Sequence, residues 1–278
     1  MLGIIPAAGT ALRMQPLAGS KELLPLGWGP GGRVRVIVEY VLERMLRAGA
    51  ERICVVISPH KADLLAYLAR SEYAARLFFL VQPEPLGLCD AVFRAAPYVE
   101  PAAKVLLGLP DTIWFPRAAF TSVPDDSIHL ITFPVLQPQE FDAVLPGEGA
   151  RVAAVQVKRP GSSQRRIWGA ITAPGREFLE LERFWRQHGA QARFLGHLLN
   201  DWIGAGGTVS FDRQGTRYWD IGTPRGYQLA LEAHAWEGED GPSPLAEAIP
   251  ATARPEVPRP IESPESFASA ARPPAGWP

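Results

Sequence analysis

The sequence has no excess of positive charge: 28 Lys and Arg stand against 29 Asp and Glu, a formal net charge of −1. Without a broad basic field to attract nucleic acid or an anionic membrane, any phosphate chemistry must rest on local cationic groups. Cysteine is scarce as well. Cys54 and Cys89 are the only two; both lie in apolar or mixed segments and read as buried reduced thiols, not as a disulfide or a metal pair. The five histidines, His60, His129, His188, His197 and His234, show no ligand spacing, and no nucleophile-elbow motif accompanies them. No stretch approaches the ~18 consecutive apolar residues of a membrane helix. The opening MLGIIPAAGTALRM is apolar only briefly and has no basic region before it, so it makes a poor signal peptide. These absences describe a soluble cytoplasmic protein with neither a nucleic-acid nor a membrane partner.

What is present is enough apolar residue to build a core: 47% of 278 positions, compatible with one large α/β domain or one domain plus additions. Short apolar runs alternate with helical periodicity. Leu2 to Pro6 is a compact apolar run, followed by a loop carrying Gly9 and Gly19. Val38, Val41, Leu42, Met45 and Leu46 share one helix face, with Gly49 as a stop. RICVVIS (Arg52 to Ser58), Leu77 to Gln82 and Lys104 to Leu109 read as strands, with helices over His60 to Arg70 and Leu88 to Ala96. This βαβαβ succession predicts a parallel sheet with helices on both faces. Further on, strands are expected at 127–133, 152–157, 167–171, 208–211 and 218–221, and helices at 176–188, 194–205 and 223–236. The folded domain is therefore placed at residues 1–236. From 237 to 278 the chain holds ten of the 28 prolines and few branched aliphatics, a composition that predicts a disordered or loosely packed tail.

Four segments carry candidate chemistry. In AAGTALRMQPLAGSKELLPL (Ala7 to Leu26) a strand delivers the chain into a loop where Gly9 allows close approach of an anion, and Arg13 and Lys21 supply charge. Taken alone this is weak, since a solvated surface loop has the same composition. The G-x-G-x-x-G and Walker spacings are both absent. QPEPLGLCDAV (Gln82 to Val92) offers Gln82, able to donate and accept, and Gly87; it also reads simply as a strand end, a turn and a helix start. In VLLGLPDTIWF (Val105 to Phe115), Asp111 follows a buried strand at the carboxyl edge of the sheet, where it suits a hard cation such as Mg²⁺ or a cap for the next turn. In YWDIGTPRGYQLAL (Tyr218 to Leu231), Asp220 again ends a strand, and Thr223-Pro224 is a helix start in its own right.

Together, and in this order, the four segments resemble the sugar-1-phosphate nucleotidyltransferases, the family of glucose-1-phosphate thymidylyl- and uridylyltransferases. The resemblance runs from about Leu2 to Leu231. It rests on Ala7, Ala8, Gly9, Arg13, Met14, Pro16 and Leu17, on Lys21, Leu23, Leu24 and Pro25, and on the later Q-G-L, L-P-D and D-x-G-T matches. It implies a Rossmann-like, mixed but mostly parallel sheet flanked by helices. It implies that Ala8, Gly9, Gln82 and Gly87 line the nucleotide, that Arg13 and Lys21 act on the phosphates, and that Asp111 and Asp220 hold Mg²⁺. The partners implied are a nucleoside triphosphate (UTP or dTTP) and a sugar 1-phosphate, with a homo-oligomer possible.

The sequence also departs from the family pattern. Ala11 replaces a second glycine and Leu12 a threonine. Phe141 and Asp142 stand where a Tyr-Gly pair is common, and Lys158-Arg159-Pro160 takes the place of Glu-Lys-Pro. Either Lys158 or Arg159 is then the sugar-phosphate ligand, with Gly169 beneath the sugar. The altered positions keep two alternatives open: a sugar-nucleotide-binding regulator that does not turn over, and an enzyme acting on a non-sugar phosphorylated acceptor.

Overall fold

Leu2–Pro6 is buried at every position, as expected of a parallel strand covered on both faces. It forms β1, with Leu2 opposite both Arg52 and Val105. In the computed structural model the described residues are 1–28, 32–121, 123–188 and 190–232; the Pro-rich stretch 237–278 lies outside them.

After β1 come two 3-10 turns (Leu12–Met14 and Lys21–Leu23), an antiparallel pair β2 (Pro25–Trp28) and β3 (Val34–Val36), and helix α1 (Ile37–Arg47). β4 (Arg52–Ile57), α2 (Ala62–Leu68), β5 (Leu77–Val81), α3 (Leu88–Phe93) and β6 (Lys104–Gly108) complete the first half. The second half holds β7 (Thr112–Phe115), β8 (Ile128–Pro134), β9 (Asp142–Pro146), β10 (Val152–Val157) and β11 (Arg166–Pro174). It ends with α4 (Gly175–Gln187), α5 (Leu195–Gly204), β12 (Val209–Phe211), β13 (Arg217–Asp220) and α6 (Pro224–Glu232).

The main sheet runs β10-β9-β11-β6-β1-β4-β5, with β8 on β11 and β12 on β8. It is parallel through β6, β1, β4 and β5 and turns antiparallel at β11, which pairs with β6, β8 and β9. The expected mixed sheet is thus present, with a clear division between its halves. Two apolar layers cover it: Phe93, Phe178, Trp185 and Leu198 on one face, and Val41, Met45, Trp114, Phe120 and Phe133 on the other. Cys54 and Cys89 are unpaired and buried, and burial pushes both thiols up to about 12. No helix among the described residues is long and apolar enough to cross a membrane.

α1 forms where its apolar face repeats at helical spacing, burying Val38, Val41, Leu42 and Met45. The Glu39 carboxylate accepts the Val36 N–H at 3.1 Å, satisfying a free donor at the helix start, and Gly49 ends the segment at φ +92°. α6 starts as read, with the Gly226 N–H donating to Thr223 Oγ1 at 3.0 Å. The expected end of that helix, 233–236, lies outside the described residues.

Four short strands were not expected: β2, β3, β7 and β9. β7 matters most. Thr112–Phe115 is wholly buried and pairs antiparallel with β13, Thr112 opposite Asp220. Its four residues show no readable alternation, and its partner is distant in sequence. Arg44 of α1 holds β7 in place. Its Nε and Nη2 donate to the Trp114 carbonyl at 3.1 and 2.6 Å, and Nη1 donates to the Tyr40 carbonyl at 2.8 Å. The guanidinium also lies 4.9 Å from the Trp114 ring centroid. Arg44→Met keeps much of the side-chain volume but strips these carbonyls of their donors. Urea unfolding is expected to show a loss of about 2–4 kcal/mol.

Candidate active site

The β7–β13 register sets the geometry. Asp111 stands in the turn between β6 and β7, and Asp220 ends β13. The Ile221 N–H donates to the Asp111 carbonyl at 2.8 Å, fastening the two segments. Between the two side chains lies Gly222. A Cβ there would sit 2.8 Å from Asp220 Oδ1, 2.9 Å from Asp111 Oδ2 and 3.1 Å from Arg13 Nη2. The carboxylates and the guanidinium therefore converge on a point that only glycine leaves open.

Cations from the first loop complete the group. Lys21 Nζ lies 2.5 Å from Asp111 Oδ2, and both side chains are largely buried. Arg13 Nη2 lies 3.8 Å from Asp220 Oδ2. Burial alone would lower the Lys21 pKa, but Asp111, with smaller help from Glu22 and Asp220, raises it overall, so Lys21 stays charged. Asp220 is pushed up by burial and then by the Asp111 charge; the Gly222 N–H (2.8 Å to Oδ1), Arg13 and Lys21 only partly offset this. Two close carboxylates with too little opposing charge are the donor set a hard cation suits. Such an ion takes one or two protein carboxylates and fills its remaining positions with phosphate oxygens and water. No cluster of three or more His, Cys, Asp or Glu converges among the described residues. The residues present therefore fit Mg²⁺.

The first loop follows β1 directly. Ala8 is buried, and Gly9 is exposed with open space where a side chain would project. Ala11 has φ 53° and ψ 36°, a left-handed conformation. That is the costly case for a residue replacing glycine, roughly 1 kcal/mol. Its carbonyl accepts the Met14 N–H at 2.9 Å, so the strain closes the turn that presents Arg13. Leu12 beside it is largely exposed.

The second segment is shaped by internal bonds. Gln82 is buried, and its amide NH₂ donates to the Gly87 carbonyl at 3.0 Å and to Asp90 Oδ2 at 2.7 Å. Its donors thus hold the loop, leaving the amide oxygen for any base edge. Gly87 has φ +106°, and a Cβ on it would lie 2.8 Å from Arg193 Cβ and 2.8 Å from its carbonyl oxygen. Arg193 and the positive φ each require glycine here. Arg193 also donates to the Pro85 carbonyl at 2.6 Å. Sequence reading missed this strap, since nothing near Arg193 signals it.

On the acceptor side, Gly169 faces the Tyr218 ring, which fills the place of a side chain; its conformation suits that aromatic contact. Tyr218 also packs against Phe141 and Phe133, at centroid distances of 5.9 and 5.5 Å. Lys158 and Arg159 are both exposed at the end of β10. Lys158 has φ 43°, and its ammonium lies 5.2 Å from the Phe194 ring centroid. Asp142 has a buried Oδ1 without a hydrogen-bond partner; burial raises its pKa, and Lys158 pulls it back. The structure thus brings Arg13, Lys21, Asp111 and Asp220 together, and sets Asp142 at the start of β9, Lys158 and Arg159 just past β10, and Gly169 within β11. Gly222 was overlooked as a site residue, though the D-x-G spacing of the fourth segment is its signal.

Residues 2–129 match the nucleotidyl transferase family. The match takes in Ala8, Gly9, Arg13, Lys21, Gln82, Gly87 and Asp111, and stops before Lys158, Arg159, Gly169 and Asp220. Over 131 residues the chain is 33% identical to UTP–glucose-1-phosphate uridylyltransferase 2 of Staphylococcus saprophyticus, covering 38% of this chain and 43% of that protein. The chain thus spans less than half the length of that relative. Among solved structures it is similar to a UTP-bound UGPase of Acinetobacter baumannii, with a TM-score of 0.66 at 19% identity, covering 85% of this chain and 94% of that one. It is also similar to a protein of Bacillus anthracis assigned as a glucose-1-phosphate thymidylyltransferase, with a TM-score of 0.71 at 17% identity, covering 84% and 96%. These structural likenesses establish the fold, and the nucleotidyl transferase match covers the segment that holds the first loop, Lys21 and Asp111.

Two expectations follow from the geometry. Gly222→Ala should leave the fold intact, as judged by circular dichroism, yet weaken Mn²⁺ or Mg²⁺ binding in calorimetry by at least about ten-fold, as when a carboxylate pair is pushed apart. The raised pKa of Asp220 also has a signed consequence. A carboxyl that binds its proton more tightly when folded loses stability as pH rises from its unfolded pKa through its folded one. In the absence of divalent metal, Asp220→Asn should therefore unfold at a higher temperature than the native protein at neutral pH. The advantage should shrink at pH 3–4, near the ordinary Asp pKa of about 3.9.

Proposed function

We propose that this chain is a Mg²⁺-dependent nucleotidyltransferase that joins the nucleotidyl group of UTP or dTTP to a sugar 1-phosphate and releases pyrophosphate. The observation that supports the reading most directly is the convergence of Asp111, Asp220, Lys21 and Arg13 around Gly222. Four charged groups from opposite ends of the fold meet at the carboxyl edge of the sheet, where α/β proteins bind their ligands.

The nucleophile in this reaction is already an anion, a phosphate oxygen of the acceptor, so no general base is required. It attacks the α-phosphorus in line as the bond to pyrophosphate breaks. The task of the protein is to position the reactants and balance charge. Asp111 and Asp220 would hold the Mg²⁺, which when bound neutralises phosphate charge. Lys21, charged and largely buried beside Asp111, would bind the phosphates, and Arg13 at the rim would take the pyrophosphate. Ala8 and Gly9 would line the nucleotide, with the Gln82 amide oxygen at the base edge. Lys158 or Arg159 would bind the acceptor phosphate.

The half-buried Asp142, whose carboxyl feels the Lys158 charge, favours a second reading for the acceptor alone. An acid and a base at these positions suit an acceptor other than glucose 1-phosphate, including a non-sugar phosphate such as that of an amino alcohol.

Pyrophosphate release, measured with Mg²⁺ over a grid of nucleoside triphosphates and phosphorylated acceptors, should depend on one particular pair. Asp111→Ala and Asp220→Ala should each lower turnover by at least about 100-fold while leaving the fold intact. Near-native Mg²⁺-dependent rates in both variants would remove the metal assignment. Nucleotide binding without pyrophosphate release from any pair would turn the reading to a regulator.

A further inference from the structure

Lys21 lies between two residues that are tied to the same short helix. Before it, Ser20 donates its backbone N–H to Asp63 Oδ2 and its hydroxyl to Asp63 Oδ1, both at 2.6 Å. After it, Glu22 accepts from Lys61 Nζ at 2.5 Å. Lys61 caps the N-terminus of α2 and Asp63 lies in its first turn, so a single turn of chain grips the loop on both sides of Lys21. Gly19 belongs to the same fit: a Cβ on it would stand 3.0 Å from Asp63 Oδ2.

The Glu22 side chain is fully buried and Lys61 is 6% exposed. Glu22 Oε1 is buried with no hydrogen-bond partner. This buried carboxylate is next in the chain to Lys21, and the charges of the two act on each other. An ion pair this enclosed is a poor choice for stability alone, since removing two charges from water costs several kcal/mol per ion. Its position next to Lys21 gives it another use.

We infer that Lys61 and Asp63 are positioning residues for Lys21. Lys61 engages the Glu22 carboxylate and keeps it from capturing the Lys21 ammonium. Asp63 fixes the backbone just before it, so that Lys21 faces Asp111 and an incoming phosphate. The inference rests on the proposed phosphate-binding role of Lys21.

The test compares Lys61→Met, the double variant Lys61→Met/Glu22→Gln, and Asp63→Asn in the full chain. Lys61→Met removes the hydrogen-bonded partner of the Glu22 carboxylate and leaves Lys21 as the neighbouring cation whose charge acts on it. It is expected to lower kcat at saturating substrates by at least about ten-fold, with a smaller change in nucleotide KM, as displacement of a catalytic group does. The double variant removes the rival charge as well and should recover most of the loss. Asp63→Asn, which presents one acceptor oxygen where two are needed, should lower kcat without disturbing α2. Unchanged kcat in both Lys61→Met and Asp63→Asn overturns the inference, as does a double variant no better than Lys61→Met. If Lys61→Met does not fold, Asp63→Asn and the folded double variant decide the matter.

A second readout separates this inference from the functional reading. In ¹⁵N-lysine-labelled protein, with Lys21 assigned by Lys21→Arg, the Lys21 Nζ signal should move in Lys61→Met and return in the double variant. That result in a protein showing no transfer activity would keep the clamp and discard its catalytic purpose. Transfer activity with an unmoved signal and unchanged kcat in the variants would discard the clamp and keep the proposed reaction.

Discussion

Two like charges must be kept close, and much of the structure serves that constraint. Burial and then the Asp111 charge raise the cost of ionising Asp220. Lys21 and Arg13 offset charge here, but they do not set the spacing of the two segments. The backbone does it, because Thr112 is in register with Asp220 and the Ile221 N–H binds the Asp111 carbonyl. The separation of the carboxylates is thereby set by main-chain hydrogen bonds that do not change with protonation.

Support for this pair extends inward. β7 is covered by the Trp114 and Phe120 rings, 5.2 Å apart in an edge-on arrangement, and its Trp114 carbonyl is held by Arg44 from α1. Burial draws the Arg44 pKa well down from the usual guanidinium value. Such a group persists because it satisfies carbonyls that would otherwise be left bare. The mobile partners of the site come from the other side. Arg13 is about half exposed and Lys21 largely enclosed, so one cation stands at the rim and the other within.

The parts of the fold legible in the sequence were those with a local signal. β1, β4, β5 and β6 are apolar runs bounded by turns, and α1 repeats its apolar residues at helical spacing. The strands that escaped, β7 and β9 above all, are short and depend on partners far along the chain. The same division holds at the site. Arg13, Lys21, Asp111 and Asp220 could be named because their residue types suit phosphate and cation chemistry and their order along the chain resembles a known pattern. That they meet is a tertiary fact. At Gly87 and Gly169 the structure adds Arg193 and the Tyr218 ring as neighbours that leave no room for a side chain, which spacing cannot show. Ala11 was legible only as a question about backbone angle, and its left-handed conformation supplies the answer.

The pairing of β13 with β7 also has a meaning in time. Asp111 belongs to the first half of the chain as it leaves the ribosome, together with the phosphate loop and the parallel strands. Asp220 arrives in the last described strand. Contacts of such long sequence separation form late, because their loop-closure entropy must be overcome first. Until that strand pairs with β7, Asp111 and the loop carrying Arg13 and Lys21 stand without Asp220, and the convergence around Gly222 does not exist.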